Sequence, residues 1–297
     1  MTALAEPRAA PLLRPALSSR GRMLPALLLL LPCLAWITFF FLAPLVLMCW
    51  RSLASEGFSL EPYGVLFTSP LFTKVMITTV RTAAITTVFA LLLAYPLAYA
   101  LTVSGGKVRA LILVFTLIPY WVDIIVRSFS WLILLGDNGM VNKALMALGI
   151  VSAPLQMLYN PFSVLLAMVQ ILLPLTTVTL FGAMLRIDRT LITAAKIHGA
   201  SEWHAFRTVF FPLSLPGVYG AGLLVFVLAL GFYVTPALLG RPRETMIAQT
   251  IMVEASQLLD WPQASAAGAV LLIITTSIAA IYNRYFSLDR LWGGSDK

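Results

Sequence analysis

The chain has 297 residues, of which 60% are hydrophobic and 11% are charged, and its net charge is +8 at pH 7. A soluble globular domain carries about 25% charged residues. This composition, together with a mean hydropathy of +0.92, therefore excludes an ordinary soluble protein and indicates a polytopic membrane protein. The basic residues are scattered along the chain rather than clustered in one patch, which argues against a nucleic-acid-binding protein.

A membrane-spanning helix needs about 20 mostly apolar residues. Six segments meet this requirement, at residues 24–49, 75–103, 108–135, 162–184, 216–239 and 264–285. The segment at 142–160 is less apolar and is broken by Gly149 and Pro154, so it is predicted to be a short helix at the membrane surface or outside it. The predicted fold is an all-α polytopic membrane protein with six transmembrane helices.

The lysines and arginines of the loops predict the orientation, because cytoplasmic loops carry an excess of these residues. With the N-terminus inside, thirteen of the twenty basic residues fall on the cytoplasmic side and seven on the outer side. This division predicts that both termini are cytoplasmic. Residues 1–22 are then a basic cytoplasmic tail, residues 23–286 the transmembrane domain, and residues 287–297 a C-terminal cytoplasmic tail.

The longest predicted cytoplasmic loop spans residues 186–211, between the fourth and fifth spans, and its sequence indicates two short helices around a turn. Either Asp188 or Thr190 can cap the N-terminus of the first helix. Gly199 suits the left-handed residue that ends many helices. Ser201 can then cap the second helix.

The same loop carries features that suit contact with another protein. Ala194 and Ala195 leave a small face that a partner can approach closely. Trp203 and Phe206 lie three residues apart on one face of the second helix, where they can act as apolar anchors. The alternative is an amphipathic re-entrant loop that rests on the membrane surface.

This stretch resembles the EAA motif of the permease subunits of binding-protein-dependent ABC importers. The matching positions hold small residues and prolines at the spacing of the motif: Ala194, Ala195, Gly199, Ala200, Ser201, Pro212 and Pro216. Thr193 occupies the acidic position of the motif, which puts an ionic contact at that position in doubt. The resemblance implies that these residues, with Trp203 and Phe206, couple the chain to a cytoplasmic ATPase.

Other stretches resemble the permeases of spermidine/putrescine-type importers, within the type I importer permease family. These stretches lie at residues 119–131, 136–142, 235–240, 246–248 and 260–262. The resemblance implies a subunit that forms the translocation path for a small solute, with a polyamine as the expected solute. An amino-acid derivative, an opine or a phosphonate is the alternative.

The resemblance also implies the partners of such a subunit. They are a second, homologous permease that completes a heterodimer, two copies of an ABC ATPase, and an extracytoplasmic solute-binding protein. The chain would lie in the cytoplasmic (inner) membrane of a bacterium, in contact with lipid. ATP and Mg²⁺ would bind the ATPase, so the chain is expected to be a transport subunit with no cofactor, metal or catalytic residue of its own, and not an enzyme.

Ionisable residues inside spans are costly and are therefore candidates for function. Asp123 and Arg127 lie four residues apart in the third predicted span, where they can neutralise each other on one helical face. They can equally form a polar lining of the outer half of the path, beside the aromatic residues Tyr120, Trp121 and Trp131. The sequence leaves both interpretations open.

Two other classes of membrane protein fit the sequence less well. An ion-coupled secondary transporter needs ionisable residues near the midplane of several spans, and it needs no docking loop. A membrane-embedded enzyme needs catalytic groups that converge within the spans. A nucleotide-binding loop is not indicated either, since the stretch at Gly105-Gly106-Lys107 lacks both the upstream glycine and the following hydroxyl residue.

Overall fold

The structure is a computed structural model that describes residues 19–53 and 57–286. The predicted tails at residues 1–18 and 287–297 lie outside the described residues, and residues 19–22 of the predicted N-terminal tail already belong to the first helix. Within the described ranges the elements are helical: α1 Ser19–Arg51, α2 Glu61–Thr68, α3 Pro70–Val103, α4 Gly106–Leu117, α5 Ile124–Leu135, α6 Met140–Ala147, α7 Pro161–Met184, α8 Arg189–Ile197, α9 Glu202–Ala205, α10 Phe211–Leu230, α11 Val234–Leu239, α12 Ile247–Ser256 and α13 Trp261–Phe286.

The chain divides into two units. The first unit ends at Trp50 and holds α1, and the second begins at Arg51 and holds the remaining helices. Among the described residues, six segments are long and apolar enough to cross a membrane: Leu30–Arg51, Pro70–Val103, Ile124–Ala147, Pro161–Met184, Glu202–Leu230 and Trp261–Tyr282. The predicted all-α fold and the number of six spans are confirmed, whereas the third and fifth spans differ from the prediction.

The third predicted span, residues 108–135, is not one helix. It consists of α4 and α5, with 12 residues each, separated by a 3₁₀ turn at Ile118–Trp121 and by two further residues. Pro119 has no N–H to continue the helix, and Asp123 starts a new one by accepting a hydrogen bond of 2.8 Å from the Ile125 N–H. The helices α4 and α5 are each about 18 Å long. Both helices and the turn between them contact α7, so the two helices run along the same neighbour.

The fifth predicted span, residues 216–239, begins and ends elsewhere. The helix starts at Glu202, passes through a π-helical segment at Phe206–Phe210, and continues as α10 to Leu230. The second half of the predicted 186–211 loop is therefore continuous with the span. The end of the predicted span, Val234–Leu239, is a separate short helix after a turn.

Helix α3 packs between α7 and α10 in the second unit. The middle of its buried face carries small residues that let the neighbouring backbones approach, including Ala83, Ala90, Ala94 and Ala98. Helices α7 and α10 also meet closely, because a Cβ atom added to Gly217 would lie 2.5 Å from the Cβ of Ala183. Small residues thus set the spacing of these three helices.

Gly217→Ala should destabilise the protein, because the new methyl group would overlap Ala183 and force α7 and α10 apart. Overpacking of this kind typically costs about 1–3 kcal/mol. The matched control is Gly182→Ala, since a Cβ at Gly182 has open space around it. We expect the apparent melting temperature in detergent to fall for Gly217→Ala and to hold or rise for Gly182→Ala. Equal melting temperatures would contradict the close packing.

Candidate functional site

The first helix of the 186–211 loop, α8, is capped by Asp188. The Asp188 carboxylate accepts a hydrogen bond of 2.8 Å from the Thr190 backbone N–H. Hydrogen bonds from the backbone and the side chain of Thr190 hold the pKa of Asp188 below its usual range. Of the two predicted caps, Asp188 is the one that the helix uses.

The turn after α8 has the left-handed glycine that the sequence predicts. Gly199 has φ +90°, its N–H bonds to the Lys196 carbonyl at 2.9 Å, and the Ala200 N–H bonds to the Ala195 carbonyl at 3.0 Å. This pair of bonds is a Schellman motif, which satisfies carbonyls at the helix end. The turn therefore presents an exposed backbone without a Cβ at its apex.

Ser201 caps the second helix as predicted, because its hydroxyl accepts a hydrogen bond of 3.2 Å from the His204 N–H. Glu202 lies in the first turn of this helix and forms an ion pair with Lys196 of α8. Both side chains of the pair are exposed, so the pair contributes little to stability but does join the two helices across the turn. The loop is thus a pre-folded unit.

Trp203 and Phe206 stack on each other, with ring centroids 5.5 Å apart, but they face different surroundings. Trp203 is 68% exposed. Phe206 points into the protein, where its ring lies 5.0 Å from that of Tyr99 on α3. The predicted pair therefore consists of one outward side chain and one inward anchor.

The outer surface of the loop combines a shallow groove with exposed apolar side chains. The groove has a volume of about 580 Å³ and is lined by Ala195, His198, Gly199, Ala200, Ser201, His204 and Thr208. Ala194 is exposed, and Ile197 is 80% exposed. Sequence reasoning missed Ile197 and the exposed Leu191; their signal was large apolar residues in a short helix predicted to lie in a cytoplasmic loop.

The two motif prolines do not lie in this groove. Pro212 and Pro216 are in the first turns of α10, beyond the π-helical segment. Pro216 instead lines a cavity of about 500 Å³ between α7, α8 and α10, together with Leu191 and Gly217. The motif residues therefore fall into two groups: those that line the surface groove, and the two prolines within the first turns of α10.

The break between α4 and α5 places three of the predicted path residues together. Tyr120, Trp121 and Asp123 are exposed, and Trp121 reaches 88%. Trp131 does not join them, since it is half-buried against the core of α3, α7 and α10 and its Nε1–H donates to Gln170 Oε1 at 3.4 Å. The break thus exposes two aromatic rings and one carboxylate between α4 and α5.

Asp123 and Arg127 do not form the ion pair that one of the two interpretations requires. Asp123 precedes α5 with extended backbone and turns its carboxylate to the Ile125 N–H. Among the described residues the only ion pair is Lys196–Glu202. Nε and Nη1 of Arg127 are buried and have no hydrogen-bond partner there. The Arg127 N–H does bond to the Asp123 carbonyl at 3.0 Å, as in a helix, but the Asp123 carboxylate caps the start of α5 and forms no ion pair with the guanidinium.

The described residues contain no group of three or more histidine, cysteine, aspartate or glutamate side chains placed to hold a metal ion. Residues 87–288 match the family described as binding-protein-dependent transport system inner membrane component.

The chain belongs to this family of ABC importer permeases. It is 31% identical over 227 residues to the spermidine/putrescine transport system permease protein PotB of Escherichia coli K12, covering 76% of this chain and 82% of that protein. It is 29% identical over 287 residues to the putative 2-aminoethylphosphonate transport system permease protein PhnU of Salmonella typhi, covering 92% and 93%.

A solved structure has the same fold. A chain of the bacterial alginate ABC transporter, in complex with an alginate pentasaccharide-bound periplasmic protein, superposes with a TM-score of 0.74 at 19% identity, covering 94% of the permease described here and 97% of that chain. The family and the six spans confirm that the protein is a multi-pass inner-membrane permease subunit of an ABC importer and not an enzyme.

Proposed function

We propose that the permease docks its 186–211 loop onto a cytoplasmic ABC ATPase, and that it works with a second homologous permease, two ATPase copies and an extracytoplasmic solute-binding protein. The pre-folded turn at Gly199 carries this proposal. A preorganised surface loses little conformational entropy when it docks. The alanines and Gly199 let a partner backbone approach, while Ile197 and Trp203 offer apolar area that water does not favour.

ATP and Mg²⁺ would bind the ATPase partner, and this chain would bind neither. Closure of the ATPase pair on ATP would displace the docked loops and rotate the membrane helices as rigid bodies. Thr193, which is exposed and donates to the Arg189 carbonyl at 3.2 Å, replaces the acidic residue of the motif. Docking would therefore depend on shape and apolar contact at this position rather than on an ionic contact.

The proposed solute is a small cation, with a polyamine as the first choice, because of the groups exposed at the break between α4 and α5. The C-terminal end of α4 carries the negative end of a helix dipole. Asp123 adds a carboxylate, and Tyr120 and Trp121 add aromatic faces that attract cations. The similarity to PotB, which is named for spermidine and putrescine transport, supports this choice.

A second solute class has one observation in its favour. The buried Nε and Nη1 atoms of Arg127 lack a partner in the described part of the chain, and a guanidinium suits a phosphonate or carboxylate. An aminophosphonate would offer an ammonium to Asp123 and an anion to Arg127. PhnU is named for such a solute.

Gly199→Asp should weaken docking of the ATPase while the chain still inserts. A residue other than glycine costs roughly 1–2 kcal/mol in a left-handed conformation, which is about a 5- to 30-fold loss of affinity. The control is Gly105→Asp, at a turn on the same predicted side with an ordinary φ of −73° and open space around its Cβ. The ratio of ATPase to permease after purification is the measurement. A normal ratio with normal transport for Gly199→Asp would show that this loop is not the coupling element.

Both termini should be cytoplasmic, as the distribution of basic residues predicts. Cysteines at Gly105 and Ser152, in a background with Cys33 and Cys49 replaced by serine, report opposite sides of the membrane. We expect a membrane-impermeant thiol reagent to label position 152 in cells with a permeabilised outer membrane, and to label position 105 only after lysis. Labelling of position 105 in unlysed cells would overturn the orientation.

Asp123→Asn should reduce solute uptake at least about tenfold, because asparagine still caps α5 but removes the charge that would pair with the cation. Asp137→Asn, at an exposed carboxylate in the turn after α5, is the matched control. Uptake of labelled putrescine and of labelled 2-aminoethylphosphonate, normalised to assembled complex, is the measurement. Near-normal uptake of the transported solute by Asp123→Asn/Arg127→Gln would end the idea that Asp123 handles substrate.

A further inference from the structure

An aromatic cluster joins the 186–211 loop to α3, and Phe206 is at its centre. The ring centroid of Phe206 lies 5.0 Å from that of Tyr99 and 6.4 Å from that of Tyr95, both on α3. On its other sides it stacks on Trp203 at 5.5 Å and on Phe210 at 5.8 Å. The exposed Trp203 is therefore two ring contacts away from a membrane helix.

The cluster contains one directional polar contact. The hydroxyls of Tyr95 and Ser214 are 2.8 Å apart, and the Ser214 hydroxyl donates to the Phe211 carbonyl at 2.8 Å. Since Ser214 has a single hydroxyl proton, Tyr95 is the donor in their contact. Ser214 is 2% exposed, so this bond is shielded from water. Tyr95 is thereby fixed to the first turn of α10.

The bond lies directly beyond the π-helical segment Phe206–Phe210. Pro212 has no N–H to donate to the Thr208 carbonyl, and its ring would clash with that carbonyl in a regular helix. A wider turn relieves the clash, and the Phe211 N–H bonds to the Phe206 carbonyl instead. Such π-helical segments are sites where helices bend and shift register. If nothing else connected the loop to α10, bending of the π-helical segment could take up a displacement of the loop, and α10 would not move.

A second connection joins the loop to the end of α3. Arg189 of α8 donates to the Thr102 carbonyl. Arg109, which belongs to α4 and not to the loop, caps the same helix end by donating from Nε to the Leu101 carbonyl at 2.9 Å. Cationic groups at a helix C-terminus bind the unpaired carbonyls and interact favourably with the helix dipole. The loop thus holds α3 at its end, through Thr102, and about 10 Å further along, at Tyr95.

We propose that Tyr95 is a positioning residue of the transport cycle. Its ring contacts Phe206 at the start of the π-helical segment, and its hydroxyl bonds to Ser214 beyond the end of the segment. Movement of the docked loop would then drive α3 and α10 together, with the hydrogen bond to Ser214 holding the α10 side. The proposal rests on the docking of the loop described under the proposed function. It goes further by assigning the transmission of the movement to one hydroxyl–hydroxyl contact.

Tyr95→Phe tests the proposal because it removes the hydroxyl and keeps the ring. Tyr99→Phe is the matched control: the Tyr99 ring packs on the same phenylalanines, but its hydroxyl has no hydrogen bond in the described part of the chain. Ser214→Ala removes the same bond from the other side. The double variant Tyr95→Phe/Ser214→Ala should show no larger defect in the movement of α3 than either single variant, since all three variants lose the same hydrogen bond.

The measurement is the movement of α3 in the assembled complex, and it needs no knowledge of the solute. Spin labels at Val103→Cys, at the end of α3, and at Ser152→Cys, in the segment before α7, are introduced with Cys33 and Cys49 replaced by serine. Pulsed electron paramagnetic resonance gives the distance between them without nucleotide and with ATP and vanadate. ATP hydrolysis, the ATPase-to-permease ratio and the melting temperature are recorded for each variant.

We expect ATP to shift this distance in the parent and in Tyr99→Phe, and the shift to be lost in Tyr95→Phe and Ser214→Ala while ATPase binding and hydrolysis persist. A shift retained in Tyr95→Phe would overturn the proposal, as would a parent complex without any shift. If the variant loses the shift and also loses ATPase binding, or if its melting temperature falls, Tyr95 has a purely structural role and the proposal is overturned as well. A parent complex that holds no ATPase would instead refute the proposed docking, and the clamp with it.

Discussion

In lipid, every backbone N–H and C=O must find a partner within the protein, because each unsatisfied group costs several kcal/mol. This constraint decides where the permease can interrupt its spanning helices. At the break before α5, the Asp123 carboxylate takes the Ile125 N–H. In the segment Phe206–Phe210, wider turns keep the backbone bonded around Pro212. Both interruptions therefore carry their own hydrogen-bond replacement, which lets irregular backbone exist within apolar segments.

The features that the sequence predicted correctly depend on chemistry within a few residues. Asp188, Gly199 and Ser201 cap or end their helices because a short side chain or a missing Cβ acts on the nearest backbone groups. The number of spans follows from length and apolarity alone. The surface of the 186–211 loop could therefore be derived before its packing was known, apart from the exposed Leu191 and Ile197.

The span predictions that were wrong have one cause: hydropathy shows that a segment is apolar, but it does not show whether the helix through that segment is continuous. The stretch at 108–135 is apolar enough for one helix, so the break at Asp123 was missed, although Pro119 followed four residues later by an aspartate was a readable signal of a new helix start. The Asp123–Arg127 ion pair, one of the two interpretations that the sequence left open, is not formed, because Asp123 caps α5. Ring contacts such as Tyr99–Phe206 lie beyond prediction from one sequence, since they join residues more than 100 positions apart.

In contrast to the two interrupted spans, α3 runs for 34 residues without a break, about 51 Å, although Pro96 lies inside it. Packing against α7 and α10 on its buried face keeps this helix continuous. Its N-terminal part is also held in place, because the Thr79 hydroxyl accepts a hydrogen bond of 2.8 Å from the Ile247 N–H at the start of α12. A continuous helix transmits displacement, whereas a broken one absorbs it. An unbroken α3, held by the 186–211 loop through Arg189 at one end and by α12 near the other, is therefore the element that connects the proposed docking loop to the opposite end of the helix bundle.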